Sequence, residues 1–377
     1  MRNNNTMGLI FSGNPEVNLG ELMRLRSLAA VPVGGRYRIV DFVLSNMVNS
    51  GIINVGITTG YKHRSLSDHL GSGKDWDMAR KETGLFLLPP PEGIDLSTKA
   101  PEGIDFIDSA QSFLRRAHQE YVLICDCNTI CNIDFEEVWD FHLSKDADIT
   151  MVYCRTGEMS PKELGHSILI DVGEDDRVTD IQVYPRRQGS NCSYLNMFLM
   201  KKDLLVNMVG DCLAHDRHSI SKDILLASLD RLRIFGYRFD GYYKKIDSIR
   251  SFFDFNLELL DPEIRHELFG SHDERAIKTK VKDSVPTKYG AGADVRNSVV
   301  ADGCTIEGRV ENCVIFRGVK IGSNSVVKDS IIMQNSQIMD NCHVENAIFD
   351  KEVILCNGKK LIGQKTYPLV IGKRIIV

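Results

Sequence analysis

Two hydrophobic rhythms divide the chain and predict an α/β, doubly wound domain followed by a left-handed parallel β-helix. Through about residue 260, short apolar runs alternate with stretches of helical periodicity, the pattern of a sheet covered by helices. From about residue 280 the helical period stops, and β-branched residues recur every six positions between turn formers, as stacked triangular coils require. A third observation locates the working end of the sheet. The apolar run 122–125 breaks into Asp126, Cys127, Asn128 and Thr129, at the carboxyl end of a buried strand, where open α/β sheets bind ligands. The expected organisation is an α/β domain over 1–250, a connecting helix and linker over 251–279, and a β-helix over 280–377.

The first buried strand, 7–12, opens into a loop at 13–20 that holds only two glycines, with Pro15 and Glu16 between them. Pro15 lacks an amide donor and Glu16 repels phosphate, so this is a poor phosphate cradle and reads as a surface turn. Arg24, Arg26, Arg36 and Arg38 then cluster around a Pro-Val-Gly-Gly turn. Arginine's planar fork suits phosphate, so the cluster predicts either an anionic effector site or a solvated or subunit-contact surface. Residues 41–50 form the clearest helix, with Asp41 as cap, Val43, Leu44, Met47 and Val48 on one face, and Gly51 as stop. A strand at 52–58 completes a β-loop-α-β unit. An irregular excursion follows to Pro91, and Pro-Glu-Gly-Ile-Asp occurs at 91–95 and again at 101–105, too few copies for a repeat architecture.

A helix at 109–120 leads into the strand at 121–126, a helix covers 135–145, and a strand lies at 149–153. Segments 167–172 and 177–184 read as an antiparallel hairpin across Gly173-Glu174-Asp175-Asp176. A strand at 194–200, a helix at 219–229 capped by Ser219, a strand at 233–239 and a helix at 247–260 stopped by Pro262 complete the domain. In the coil region Val326, Ile332, Ile338 and Val344 keep one six-residue register, and Ile315, Ile321, Val327 and Met333 a second. Asp302-Gly303, Gly308, Gly318, Gly322, Asn335 and Asn341 supply the turns. His343, the only histidine among these coils, reads as an exposed coil residue rather than an acyl-transfer base. Cys125, Cys127 and Cys131 lack zinc-ligand spacing and read as buried thiols.

Composition bounds the partners. Hydrophobic residues make up 43% and charged residues 26%, enough apolar material for packed cores. A formal charge of −5 without a basic block argues against nucleic acid or anionic membrane. Ten scattered cysteines fit reduced thiols, and no apolar run is long enough to span a bilayer, so the expected location is the cytoplasm.

Three stretches carry a specific resemblance: Val-Pro-Val-Gly-Gly-Arg-Tyr-Arg-Ile-Val-Asp-Phe at 31–42, Leu-Ser-Asn-Met-Val-Asn-Ser-Gly-Ile at 44–52, and Gly-Ser-Gly-Lys-Asp-Trp-Asp at 71–77. With Gly-Tyr-Tyr-Lys-Lys-Ile-Asp-Ser-Ile at 241–249 and the hexapeptide tail, they make the chain resemble the glucose-1-phosphate adenylyltransferase family over almost its whole length. The resemblance implies a Rossmann-like nucleotidyltransferase domain in which a sugar phosphate attacks the α-phosphate of ATP while Mg²⁺ on two aspartates neutralises phosphoryl charge. Those aspartates correspond here to Asn128 and Lys245, one neutral and one cationic. An ammonium about 4 Å from a cation repels each of its charges by roughly 4 kcal/mol at an effective dielectric of about 20. The resemblance also places Leu28 at a family lysine, Tyr184 at the sugar-phosphate lysine and Gly60 at a base-reading glutamine.

This pattern resembles the silent second subunit of two-subunit bacterial enzymes of glycogen synthesis. It implies no catalytic residue and no cofactor in this chain, Mg²⁺ in an active sister subunit, and a hetero-oligomer, expected to be a tetramer. Arg24, Arg26, Arg36 and Arg38 become the candidates for a sugar-phosphate or nucleotide effector, or for an interface. Two alternatives stand beside it: a weak or altered nucleotidyltransferase in which Asp126 replaces the lost aspartate, and a hexapeptide acyltransferase using His343.

Overall fold

The computed structural model describes residues 5–13, 17–60, 62–80, 83–89, 103–270 and 275–377. The Pro-Glu-Gly-Ile-Asp duplication and Pro15 and Glu16 of the first loop fall largely or wholly outside them. Two compact units emerge. One joins Met1–Val17 to Phe42–Tyr243, and the other joins Asn18–Asp41 to Lys244–Val377. The division is therefore not linear: the arginine-bearing segment near the N-terminus belongs with the coils, and the second boundary falls after Tyr243 rather than after residue 250.

The first unit is built on a nine-stranded sheet. Strand Thr6–Phe11 lies at its centre, parallel to Val55–Thr58 on one side and to Tyr121–Asp126 on the other. All six of its residues are buried, because helices cover both faces and leave no solvent side for polar alternation. The sheet is mixed, since Cys192–Lys201 runs antiparallel to both Tyr121–Asp126 and Ile149–Arg155. Val178–Val183 and Ile168–Val172 form the expected hairpin, and Ile234–Arg238 extends the sheet parallel to Ile149–Arg155.

Local chemistry explains where the helices depart from the sequence pattern. Helix Ile39–Asn49 begins two residues earlier than its periodicity suggests, and the Asp41 carboxylate accepts from the Arg38 amide. The expected helix at 109–120 resolves into Gly103–Ser109 and Gln111–Arg116. Helix Lys202–Ala214 carries no strong sequence signal. Ser219 caps as expected, but Ile220–Leu225 winds as a π-helix before a 3₁₀ turn at Leu226–Ser228. Pro262 does not simply stop a helix. Ile249–Glu258 ends before it, and Pro262–Phe269 begins on it, where a missing amide costs nothing.

The second unit contains three parallel five-stranded sheets, one for each face of the left-handed β-helix. Ile306, Ile321, Ile338 and Leu355 stack on one face, so the coils are 15 residues long (306 to 321) and then 17 (321 to 338, 338 to 355). A strict six-residue repeat would give 18. The inward residues Ile321, Val327, Ile332, Ile338, Val344, Phe349 and Leu355 show the reason: the step from Val327 to Ile332, and from Val344 to Phe349, is five. The two registers read from sequence therefore cross. Val326 is half-exposed while Val327 points inward, and Met333 is buried outside that central column. The short step coincides with a corner where Asp329 and Asn346 adopt left-handed φ of 44° and 49°. Along that corner Asn297 donates to Asn312 at 2.7 Å, and Asn312 donates to Asp329 at 3.1 Å. At another edge, Ser336 donates to the Asp350 carbonyl and accepts from the Val353 amide, tying neighbouring coils together.

The segment Asn18–Asp41 packs within this unit through Leu19, Leu22, Leu28 and Val31, all fully buried. Its deepest anchor is ionic. The Arg26 guanidinium makes three hydrogen bonds of 2.8 to 2.9 Å to Asp350, and both side chains are at most 4% exposed. Gly34 donates its amide to Asn256 at 3.0 Å, and the Tyr37 ring stacks on Phe269 with centroids 4.8 Å apart.

Removing one partner of a buried pair leaves the other charge stranded, so Asp350→Asn should cost about 3–5 kcal/mol of unfolding free energy for this unit, measured in urea. The double variant Arg26→Met, Asp350→Leu should recover much of that loss. In the first unit, His142 is buried with Nδ1 2.8 Å from the Thr150 hydroxyl, and burial pushes its pKa down to about 4. The unfolded ring binds a proton near pH 6.5 and the folded ring only near pH 4, so stability is present above 6.5 and falls as pH drops toward 4. Thermal melts of His142→Gln should lack that part of the acid sensitivity.

Candidate functional site

At the mouth of the first unit's sheet, Phe11 and Asp126 end neighbouring parallel strands in register. Asp126 is half-buried and accepts a hydrogen bond from Asn196 Nδ2 at 3.1 Å. Asn196 is held in a left-handed conformation, φ 57°, beside an irregularity in strand Cys192–Lys201. Two residues beyond Asp126 the chain turns inward. Asn128 is 2% exposed, and its Oδ1 has no hydrogen-bond partner among the described residues. Thr129 donates to the Leu195 carbonyl at 3.2 Å, and the Cys127 amide to the Phe11 carbonyl at 3.3 Å, which fixes this turn. Asp126 and Asn128 thus occupy different environments, one at the rim and one interior.

The positions that the resemblance marks as altered carry side chains suited to packing. Leu28 is fully buried in a 3₁₀ turn of the second unit, where a lysine ammonium would meet no water. Tyr184 has φ 53° and packs against the core of the first unit. Gly60 has open space where a Cβ would stand. Lys245 closes strand Tyr243–Lys245 and is half-buried, in a stretch where Ser248 caps helix Ile249–Glu258 with a capping box. A divalent cation needs anionic oxygen ligands; Asn128 in the first unit offers a neutral amide, and Lys245 in the second offers an ammonium, so neither side chain fits one.

The cysteines at the strand end are buried thiols. Burial raises Cys125 and Cys127 well above the ordinary thiol range and pushes Cys131 to about 12. His343 lies on the outer side of a coil, with Nε2 3.5 Å from Glu345 on the same strand.

The four arginines separate. Arg24 is exposed and pairs with Glu21 at 2.9 Å. Arg26 is a correction to its reading as an anion ligand, because its guanidinium is spent on Asp350 and shielded from solvent. Arg36 and Arg38 instead join cations from the coils and the preceding segment, all within the second unit. Burial lowers the pKa of Lys351 to about 7, and nearby Arg38, Arg26 and Lys282 push the same way against Asp350. Burial also lowers Lys282, with Arg38, Lys280 and Arg317 adding to it. Arg317 is lowered by burial and by Arg36, and its Nε has no hydrogen-bond partner among the described residues, with Asp302 3.9 Å away. Arg26, Arg36, Arg38, Lys282, Arg317 and Lys351 are thus electrostatic neighbours within the second unit, Arg36 and Lys282 exposed and the others half-buried or buried. Asp350, the carboxylate buried among them, is held by Arg26.

Sequence reasoning found three of these groups, Arg26, Arg36 and Arg38, and missed Lys282, Arg317 and Lys351. Each sits alone among hexapeptide or linker residues, and only the 17-residue coil brings them to the Pro-Val-Gly-Gly turn. The available signal was a cation at a coil position, Arg317, flanked by buried Phe316 and the left-handed Gly318.

Comparison with known proteins agrees with this architecture. Residues 8–261 match the nucleotidyl transferase family model, and residues 282–366 match the GlmU-like C-terminal hexapeptide model. The glycogen biosynthesis protein GlgD of Bacillus subtilis is 34% identical over 376 residues, 100% of this chain and 98% of that protein. GlgD of Geobacillus stearothermophilus is 38% identical over 326 residues, 86% of this chain and 83% of its own. The glucose-1-phosphate adenylyltransferase of Fervidobacterium nodosum is 30% identical over 362 residues, 95% of this chain and 85% of its own. A nucleotidyltransferase core, a hexapeptide coil and full-length similarity to these proteins establish that the chain belongs to the nucleotidyltransferase family of glucose-1-phosphate adenylyltransferase and GlgD.

Proposed function

We propose that this chain is a catalytically silent, regulatory subunit of a glucose-1-phosphate adenylyltransferase, acting in glycogen biosynthesis in the cytoplasm. The observation that carries the reading is the buried amide of Asn128 at the strand end where the family's chemistry calls for a carboxylate. An amide and, in the second unit, the Lys245 ammonium supply no anionic pair for magnesium, so adenylyl transfer is left to a sister chain that keeps both aspartates. This chain then contributes assembly and control. The partner is a catalytic relative in a hetero-oligomer, with a tetramer as the expected stoichiometry, and the β-helix is the proposed contact surface. The alternative in which Asp126 takes over as metal ligand is disfavoured by its hydrogen bond to Asn196.

The regulatory arm of the reading rests on the cationic patch. Arg36, Arg38, Lys282, Arg317 and Lys351 bring several positive charges together within the second unit, and the phosphate of a sugar phosphate or nucleotide is the complementary charge. Arg36, Arg38, Lys282, Arg317 and Lys351 are the groups assigned to that effector.

The purified chain, given ATP, glucose 1-phosphate and Mg²⁺, should form ADP-glucose no faster than a heat-denatured control; sustained turnover by the chain alone would remove the silent-subunit reading. In calorimetric titrations with inorganic phosphate and glucose 1-phosphate, Arg38→Gln and Lys282→Gln should each weaken binding about tenfold, the equivalent of about 1.4 kcal/mol. Arg24→Gln should bind as the parent does.

A further inference from the structure

One face of the coil stack carries charge in a fixed pattern that neither the strand-end site nor the arginine segment uses. Asp294–Arg296, Arg309–Glu311, Val326–Lys328, His343–Glu345 and Lys360–Ile362 stack there as the five parallel strands of one sheet. The middle residue of each strand belongs to the inner column or packs against it, so the two flanking residues stand outward. First residues therefore form one outer column and last residues a second. Across the first two rungs the signs alternate both along and between the columns, as on a checkerboard. Arg296 reaches Asp294 at 2.9 Å, and Arg309 reaches Glu311 at 2.9 Å and Asp294 of the neighbouring rung at 3.8 Å. His343 Nε2 lies 3.5 Å from Glu345. The columns face solvent, with the Arg296 side chain 65% exposed and Ile362 60% exposed. Exposed ion pairs of this kind add little to stability, so the pattern calls for another account.

We propose that this face docks a second copy of the same chain, the two coil stacks side by side with their rungs level and a two-fold axis parallel to the stack. That axis sets the first column of one copy against the second column of the other. Asp294 then meets Arg296 of the second copy, Arg309 meets Glu311 and His343 meets Glu345, each contact occurring twice. The uncharged members match as well, Val326 lying against the stem of Lys328 and Ile362 against that of Lys360. Arginine's fork keeps donors for a second carboxylate beyond the one on its own strand. The same charges oppose the other arrangements. A slip of one rung sets Asp294 on Glu311 and Arg296 on Arg309, and turning one copy end for end sets Glu311 on Glu345 and Lys328 on itself. Five rungs about 4.8 Å apart make a small face, so the expected association is weak, in the micromolar range. The inference stands apart from the silent-subunit reading, since the pairing of the coils does not depend on whether the first unit turns over.

Sedimentation velocity of the full chain, up to about 100 µM, should show a reversible dimer that weakens several-fold as sodium chloride rises from about 50 to about 300 mM. In a dimer of Arg309→Glu two carboxylates face each other, and in one of Glu311→Arg two guanidinium groups do; each variant alone should self-associate at least about tenfold more weakly than the parent. Mixed in equal amounts, the two variants restore both contacts of that rung, so the mixture should associate within about threefold of the parent. Lys320→Glu, on a different face of the coils, should dimerise as the parent does. Circular dichroism checks that the variants are folded; if those at 309 and 311 are not, Asp294→Lys and Arg296→Glu make the same test on the first rung. The proposal is overturned by a parent chain that stays monomeric throughout, by a dimer indifferent to salt, by single variants that dimerise as the parent does, by folded variants that stay apart when mixed, or by a dimer that Lys320→Glu disrupts equally.

Discussion

One ion pair carries the second unit. Arg26 reaches Asp350 from 324 positions away in sequence, and three charge-assisted hydrogen bonds close the contact out of reach of water. The hydrophobic packing of Leu19, Leu22 and Leu28 brings the early segment onto the coils without direction, whereas the guanidinium fork fixes its register. Desolvating two charges is expensive, and replacement by apolar residues would serve packing as well. The pair is better understood by what surrounds it. Asp350 is taken up by Arg26, while Arg38 and Lys282 lie close enough to Lys351 to act with its burial in lowering its pKa. A structural anchor thereby sets the electrostatic character of its neighbourhood.

The first unit shows the converse, an architecture kept while its reactive groups differ. Strand Tyr121–Asp126 still ends at the centre of the sheet beside Thr6–Phe11, and the turn beyond it is still fixed by Thr129 and Cys127. Asn128 has the shape of a carboxylate without its charge, and its buried amide oxygen, without a partner among the described residues, is a small instability the packed scaffold carries. Tyr184 packs against the hydrophobic core of this unit, and in the other unit Leu28 is fully buried, so neither position suits a charged side chain without further change.

How much of this the sequence disclosed depends on the range of the forces involved. Strand 121–126, the hairpin over Gly173-Glu174-Asp175-Asp176 and the cap at Ser219 were legible because local pattern and turn chemistry decide them. The β-helix was legible for the same reason, although not its true period. Val326 and Val327 are adjacent β-branched residues, and sequence does not say which of them points inward; the left-handed corner at Asp329 decides it. The correspondence of Asn128 and Lys245 to two family aspartates came from the resemblance alone, not from any pattern in the residues. The patch was only half visible, since Arg36 and Arg38 are neighbours in sequence while Lys282, Arg317 and Lys351 meet them through coil stacking. Arg26 looked like its neighbours in the arginine run, and only its distant partner Asp350 sets it apart.

The same stacking also tolerates one rung of a different length. Ile331 pairs with Ile348 after 17 residues, but Ile348 pairs with Val370 after 22, the extra length forming a small hairpin in which Gln364 bridges Tyr367. The outgrowth lengthens the rung without breaking the stack, because Ile354 still bridges Ile376 after the same 22 residues. A coil of this kind can thus carry a loop at one corner while the faces on either side keep their pairing.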